Sequence, residues 1–123
     1  MTNANKQTPI YDLEERTFQF AKDVRIFLKS FPKSISNIED EKQLIRSSGS
    51  IGANYIEANE SLSKKDFLMR VKISRKEAKE SIYWLRLLSE INSDEFIMGS
   101  NRLITEAIEI KKILSSIIEK SRY

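Results

Sequence analysis

Apolar residues recur along most of this chain at intervals of three and four residues, the spacing of an α-helix that buries one face. Four segments show this period, over residues of about 11–30, 38–60, 64–90 and 93–121. The last two connections are short, so neighbouring helices should run antiparallel. The pattern predicts an all-α protein, folded as an antiparallel up-and-down four-helix bundle.

Capping residues mark the predicted helix boundaries. Asn37, followed by Asp40 three residues later, predicts the cap of the second helix. Ser63 and Asp66 have the spacing of a capping box at the start of the third. The fourth helix is expected to begin near Ser93, with acids in its first turn where the helix dipole favours them.

One face of each predicted helix should form the core of the bundle. Successive residues turn by about 100° around a helix axis, which brings these positions into line. The predicted core residues are Leu13, Phe20, Val24, Phe27, Leu28, Leu44, Ile51, Tyr55, Ala58, Phe67, Val71, Ser74, Ala78, Ser81, Leu85, Leu88, Phe96, Leu103, Ala107, Ile110, Leu114 and Ile117.

Two glycines interrupt the middle of the second helix. Gly49 and Gly52 each cost a helix interior about 1 kcal/mol relative to Ala. Their presence predicts a kink or a close approach by another helix. The alternative is a loop that splits the helix at this point.

The composition narrows the class of protein. The 123 residues suit one domain with one core, expected over residues 10–123 behind a flexible polar tail at residues 1–9. The sequence has no Cys and no His, which argues against disulfides, thiol nucleophiles and the commonest transition-metal ligand. We therefore expect no metal and no cofactor. No apolar run approaches the ~20 residues that span a bilayer, so the cytoplasm is the expected compartment.

Basic residues are concentrated on the third helix. The net charge is only +3, which permits a polyanion partner without requiring one. Seven basic residues of this helix fall within about 120° around its axis, and like-charge pairs such as Lys72–Lys76 are unfavourable in an isolated helix. Nucleic-acid phosphates are one candidate that would stabilise them. This basic arc consists of Lys64, Lys65, Lys72, Arg75, Lys76, Lys79 and Arg86.

The alternative is an ordinary solvated face, or one that is balanced within the protein. The second helix carries acids that would neutralise the basic arc, from the same chain or a neighbouring one. Tyr83 is expected at the edge of the arc and no other aromatic residue interleaves it, so base stacking has little support. The acids are Glu39, Asp40, Glu41, Glu57 and Glu60.

Some apolar residues lie outside the core faces. Phe18 and Ile26 do so on the first helix, and Ile97, Ile104 and Ile108 form a second stripe on the fourth. A wide apolar arc can be internal in a bundle, because each helix contacts two neighbours. Surplus apolar surface also marks subunit interfaces. We expect a homo-oligomer.

The segment Arg46-x-x-x-Ser50-Ile51-x-x-Asn54-x-x-Glu57-Ala58, followed by Ser63-Lys64-Lys65-Asp66-Phe67, resembles a bacterial four-helix-bundle family. The family is named after the intervening-sequence protein of 23S rRNA genes. Glu77, Glu80 and the run Tyr83-Trp84-Leu85-Arg86-Leu87-Leu88 continue the likeness, which covers about residues 11–120. The chain departs from the family pattern at Gly52, where many relatives have Pro, and at Asn59, where Gly is frequent.

This resemblance implies an antiparallel bundle that assembles as a ring-shaped homopentamer. A related branch, the accessory protein of diversity-generating retroelements, has a basic pentameric surface and binds nucleic acid and a reverse transcriptase. Carried to this chain, the likeness makes the basic arc the candidate contact surface. Arg46, Asn54 and Glu57 belong to the family signature, whose chemical role is not established.

The positions of Asn54 and Glu57 also suggest roles that do not depend on the family resemblance. They lie about one turn apart at the edge of the core face of the second helix. They either line a polar site or have a structural role, as buried polar groups require. In the structural role they satisfy backbone groups near Gly49 and Gly52, or pair with Arg46 or a cation of the third helix.

The leading hypothesis is a non-enzymatic oligomeric adaptor that binds RNA or DNA through the basic arc. The alternative is a structural or protein–protein interaction module that does not bind nucleic acid. An enzyme is not expected, because a di-iron bundle needs Glu-x-x-His pairs and Gly49-x-x-Gly52 lacks the length and the Lys of a phosphate-binding loop. The carboxylates of Glu77 and Glu80 are spaced for acid–base work, but such pairs are usually solvated or salt-bridged.

Overall fold

The computed structural model describes residues 13–122, and four helices account for most of them. They are α1 (Leu13–Leu28), α2 (Ile35–Asn59), α3 (Lys64–Ile91) and α4 (Ile97–Lys120), with a 3-10 turn at Asp94–Phe96. This part of the chain contains no strand and no helix with the length and apolar content to cross a membrane. The predicted tail at residues 1–9 lies outside it.

The four helices form an antiparallel bundle. Glu14 of α1 is hydrogen-bonded to Asn59 of α2, and Arg25 further along α1 reaches the carbonyl of Ile45, so the two helices run in opposite directions. Hydrogen bonds between α2 and α3, and between α3 and α4, join positions in the same reversed order. Contacts between α1 and α4 close the arrangement. The predicted fold class is confirmed.

Most of the predicted core residues are buried in one continuous core. Phe27 and Phe67 are only partly buried. On α4 the prediction of Ile117 is wrong in register, because Ile118 is buried and Ile117 is half-exposed. The core stripe continues four residues after Leu114 rather than three, and both spacings keep a residue on one helix face.

The predicted cap of α2 is also wrong. The helix begins three residues earlier, and the hydroxyl of Ser34 accepts a hydrogen bond from the backbone N–H of Asn37 at 3.2 Å. Asn37 lies inside the helix, buried, and its side-chain amide exchanges hydrogen bonds of 2.8 and 3.0 Å with that of Asn92. It therefore ties the start of α2 to the end of α3. The predicted cap of α3 is confirmed, since Ser63 accepts from the N–H of Asp66 at 3.1 Å.

The fourth helix starts later than predicted. Ser93 precedes a 3-10 turn, and α4 itself begins at Ile97. The turn places Phe96 in a buried position, where its ring stacks on Phe31 with centroids 4.0 Å apart. Phe27 contacts Phe31 edge-on at 5.0 Å, so aromatic packing closes this end of the bundle.

The glycines of α2 mark a close approach of α1, and the helix is not split at this point. A methyl group at Gly52 would lie 2.8 Å from Oγ1 of Thr17 and 3.2 Å from its Cβ. Thr17 is fully buried, and its hydroxyl lies 2.9 Å from the carbonyl oxygens of Leu13 and Glu14. At Gly49 the nearest atom is the guanidinium Nη2 of Arg25, at 3.3 Å.

We predict opposite effects of alanine at the two glycines. Gly52→Ala should lower the free energy of unfolding by about 1–3 kcal/mol, because overpacking against buried Thr17 outweighs the gain in helix propensity. Gly49→Ala is the control, because the end of the Arg25 side chain can move, and it should be neutral or stabilising by up to about 1 kcal/mol. Urea unfolding followed by circular dichroism measures both. Equal effects of the two variants would contradict the assignment of close packing to Gly52.

Candidate nucleic-acid interface

Hydrogen bonds from small side chains fix the rotation of α3 within the bundle. The hydroxyl of Ser74 donates to the carbonyl of Ile51 on α2 at 2.7 Å, and the hydroxyls of Ser47 and Ser81 are hydrogen-bonded at 2.9 Å. All three serines are buried. Because these contacts hold the serine face of α3 against α2, the opposite side of the helix is left towards solvent.

The basic arc lies on that outer side. Six of its members are exposed and Arg75 is half-buried. Arg75 donates from Nη1 to the hydroxyl of Ser115 on α4 at 3.2 Å, which anchors its guanidinium at the α3–α4 junction. The structure therefore keeps the predicted residues together on one surface, with one of them held by the neighbouring helix.

A groove between α3 and α4 concentrates this charge. Its volume is about 370 Å³, and we call it the basic groove. The helix α4 contributes Lys111 and Ser115 to the groove. The sequence did not predict these two residues, because helical periodicity does not reveal which side of α4 faces the outer edge of α3. The groove is lined by Lys72, Arg75, Lys76, Lys79, Lys111 and Ser115.

The acids of α2 do not neutralise the basic groove within the described chain. Glu41 pairs with Lys33 at 3.1 Å and Glu39 with Lys42 at 3.5 Å, so both are engaged elsewhere. In residues 13–122 the groove lysines have one ion pair, which joins Lys76 to the neighbouring Glu77 at 3.8 Å. For these groove residues, the alternative of balance by α2 of the same chain is wrong, because α2 packs on another side of α3.

Glu77 follows Lys76 in the sequence but does not line the basic groove. Its carboxylate is buried, and Oε1 has no hydrogen-bond partner among the described residues. Burial raises the pKa of Glu77 and the nearby charge of Glu80 raises it further, while Lys76 and Arg46 act in the opposite direction. Because burial disfavours its charged form, Glu77 offsets the positive charge of the groove less readily than an exposed carboxylate would.

The signature residues lie apart from the basic groove. Asn54 donates to the carbonyl of Ser50 at 2.9 Å and accepts from Arg70 of α3 at 3.1 Å. Arg70 lies about 160° around α3 from Lys72, so this contact faces away from the arc. The predicted pairing of Asn54 with a cation of the third helix is confirmed.

The other two signature residues do not join Asn54 in one site. Arg46 is exposed and its guanidinium is hydrogen-bonded to Gln43 one turn earlier. Glu57 is also exposed, and its backbone carbonyl accepts a hydrogen bond from the hydroxyl of Ser61. The three residues are therefore distributed along the surface of α2.

An apolar groove lies on the α1–α2 side of the bundle. Its volume is about 700 Å³, and the close approach at Gly52 forms part of its floor. Phe18 is 62% exposed there, and Ile26 and Ile56 are also exposed. This confirms that Phe18 and Ile26 point away from the core. In the second apolar stripe of α4, Ile97 is exposed, whereas Ile104 and Ile108 are half-buried.

The fold and the basic groove together define the class of this protein, which is a small antiparallel four-helix bundle with a positively charged surface on α3 and α4. The model of the family described as 23S rRNA-intervening sequence protein matches residues 11–116. The chain belongs to this family, as the sequence motif implied.

A solved structure agrees with this assignment. It is the crystal structure of a protein of unknown function from the S23 ribosomal protein family of Bacteroides thetaiotaomicron VPI-5482. The two chains are 34% identical, with a TM-score of 0.73, and the match covers 86% of this chain and 97% of that one. No functionally curated protein matches the chain.

Proposed function

We propose that this protein is a non-enzymatic, oligomeric adaptor of the bacterial cytoplasm that binds RNA or DNA electrostatically through the basic arc. The observation that carries the proposal is the basic groove, where four cations of α3 converge with Lys111 of α4. Like charges this close repel one another, and a phosphate backbone relieves that repulsion and releases its own counterions. Such contacts give affinity with little sequence specificity.

The two grooves support an adaptor because they lie on opposite flanks of the bundle. The apolar groove is formed by α1 and α2, and the basic groove by α3 and α4. Subunits that pack through the apolar groove would leave the basic groove open. The family resemblance favours a homopentamer for this assembly.

A structural or protein–protein interaction module is the second candidate. The exposed ring of Phe18 and the apolar groove around it favour this function independently of the basic groove. Under this alternative the assembly presents its surface to another protein and nucleic acid does not bind. The two candidates are separated by nucleic-acid binding and its dependence on salt.

Neutralising the basic groove should weaken nucleic-acid binding. The triple variant Lys72→Gln, Lys76→Gln and Lys79→Gln should bind labelled RNA and duplex DNA at least about tenfold more weakly at low salt. Its log–log salt slope on duplex should be shallower by about 0.9 for each phosphate that the variant no longer neutralises. Fluorescence anisotropy titrations at several salt concentrations measure both quantities.

The matched control is Lys42→Gln, Lys112→Gln and Lys120→Gln, which removes the same charge from exposed positions elsewhere. It should keep most of the affinity. Equal losses in both variants would mean that net charge, and not the basic groove, drives binding. If the wild-type protein binds neither nucleic acid at low salt, the adaptor proposal is wrong and the second candidate gains.

A charge in the apolar groove should break the oligomer. Phe18→Asp places a carboxylate where we propose that subunits meet, so the assembly should dissociate to monomers of unchanged helicity. Leu62→Asp is the control, because Leu62 is 100% exposed in the turn between α2 and α3. Size-exclusion chromatography with light scattering measures the mass. A wild-type monomer, or a Phe18→Asp variant of wild-type mass, would contradict this interface.

A further inference from the structure

Tyr83 lies within the basic arc, near one of its edges. It comes eleven positions after Lys72, which is three helical turns along the axis and about 20° around it. Lys76 and Lys79 lie about 20° and 40° on either side of Tyr83 by the same geometry. Tyr83 therefore lies about 20° inside the edge that Lys76 marks, as expected from the sequence, and its aromatic side chain is 59% exposed.

The ring of Tyr83 is held by its neighbour. It meets the ring of Trp84 edge-on, with centroids 4.9 Å apart and planes at 84°. Trp84 is itself half-buried and packs against the core. An exposed aromatic ring that is already restrained loses little side-chain entropy when it binds a ligand, and a base can stack on such a ring.

The charged residues of α3 differ on the two sides of Tyr83, with the cations of the basic groove before it and an Arg–Glu pair after it. Lys79 precedes it by one turn, at the near end of the basic groove. Arg86 follows it and pairs with Glu90 at 3.5 Å, and these residues line a shallow recess of about 110 Å³ beside the tyrosine ring. A phosphate backbone is therefore favoured up to Tyr83, and the acid beyond it disfavours a continuation of the backbone along the same line.

On the basis of the proposed function, we infer that the ligand of this surface is single-stranded nucleic acid, with phosphates in the basic groove and one base stacked on Tyr83. A duplex has phosphates for the groove, but the faces of its internal bases are covered by their neighbours, so it cannot use the tyrosine ring. Every base has an aromatic face, so this contact adds affinity without reading sequence. RNA and single-stranded DNA share the required chemistry.

The test compares oligonucleotides of one sequence as single-stranded RNA, single-stranded DNA and duplex DNA. Wild-type protein should bind the single strands more tightly than the duplex in anisotropy titrations. Tyr83→Leu should weaken single-strand binding by about 5- to 150-fold, the range expected when one stacked base loses its aromatic partner, and change duplex binding less than about twofold. The difference between the RNA and DNA strands identifies which one is preferred.

Tyr83→Phe is the matched control, because it keeps the ring and removes only the hydroxyl, and it should bind like wild type. Trp84, the only tryptophan of the sequence, gives a second measurement. Its emission should be quenched by the single strands in wild type and Tyr83→Phe, and little by duplex. Circular dichroism verifies that all variants fold.

The outcomes separate this inference from the proposal on which it rests. Salt-dependent binding that is equal for single strands and duplex, and unchanged in Tyr83→Leu, would overturn the stacking role and leave the electrostatic interface in place. Absence of binding to all three nucleic acids would overturn both. A loss in Tyr83→Phe equal to that in Tyr83→Leu would also overturn the stacking role, because it would assign the contact to the hydroxyl.

Discussion

Serine-mediated packing between α2 and α3 is the contact on which the rest of the surface depends. Small side chains let the helix backbones approach, and the hydroxyl of Ser74 reaches the carbonyl of Ile51 while Ser47 and Ser81 bond to each other. Buried hydroxyls without these partners would cost about 1–3 kcal/mol each. These hydrogen bonds therefore restrict the rotation of α3 about its axis, and this determines which face of the helix is exposed to solvent.

Burial of the core offsets the cost of gathering like charges on that outer face. Each repulsive i,i+4 pair in a helix costs only a few tenths of a kcal/mol, whereas burial of a single Leu or Ile contributes about 1.5–3 kcal/mol. The bundle can thus keep Lys72 beside Lys76, and bring Lys111 to the same groove, without losing its fold. The basic groove and the apolar groove lie on opposite flanks, so the assembly and the ligand binding that we propose would use separate surfaces.

The sequence predicted the bundle because helical periodicity depends only on local spacing, and the predicted core of α2 and α3 is buried almost completely. It failed where a tertiary contact decided the outcome. Asn37 looked like a cap and instead pairs with Asn92, which is distant in the sequence. The seven members of the basic arc share one helix and follow from angle alone, but Lys111 enters the groove through the packing of α4. The position of Tyr83 near the edge of the arc also follows from angle, but the exposure of its ring required the structure.

The most direct measurement of the central claim is lysine footprinting, in which acetylation rates are read by mass spectrometry with and without a single-stranded oligonucleotide. We predict that Lys72, Lys76, Lys79 and Lys111 become protected. Lys112 is the internal reference, because it is adjacent to Lys111 in sequence but is exposed and pairs with Glu109 at 3.6 Å, and its rate should not change. Uniform protection of all lysines, or protection confined to α1 and α2, would contradict the assignment of the α3–α4 groove as the nucleic-acid interface.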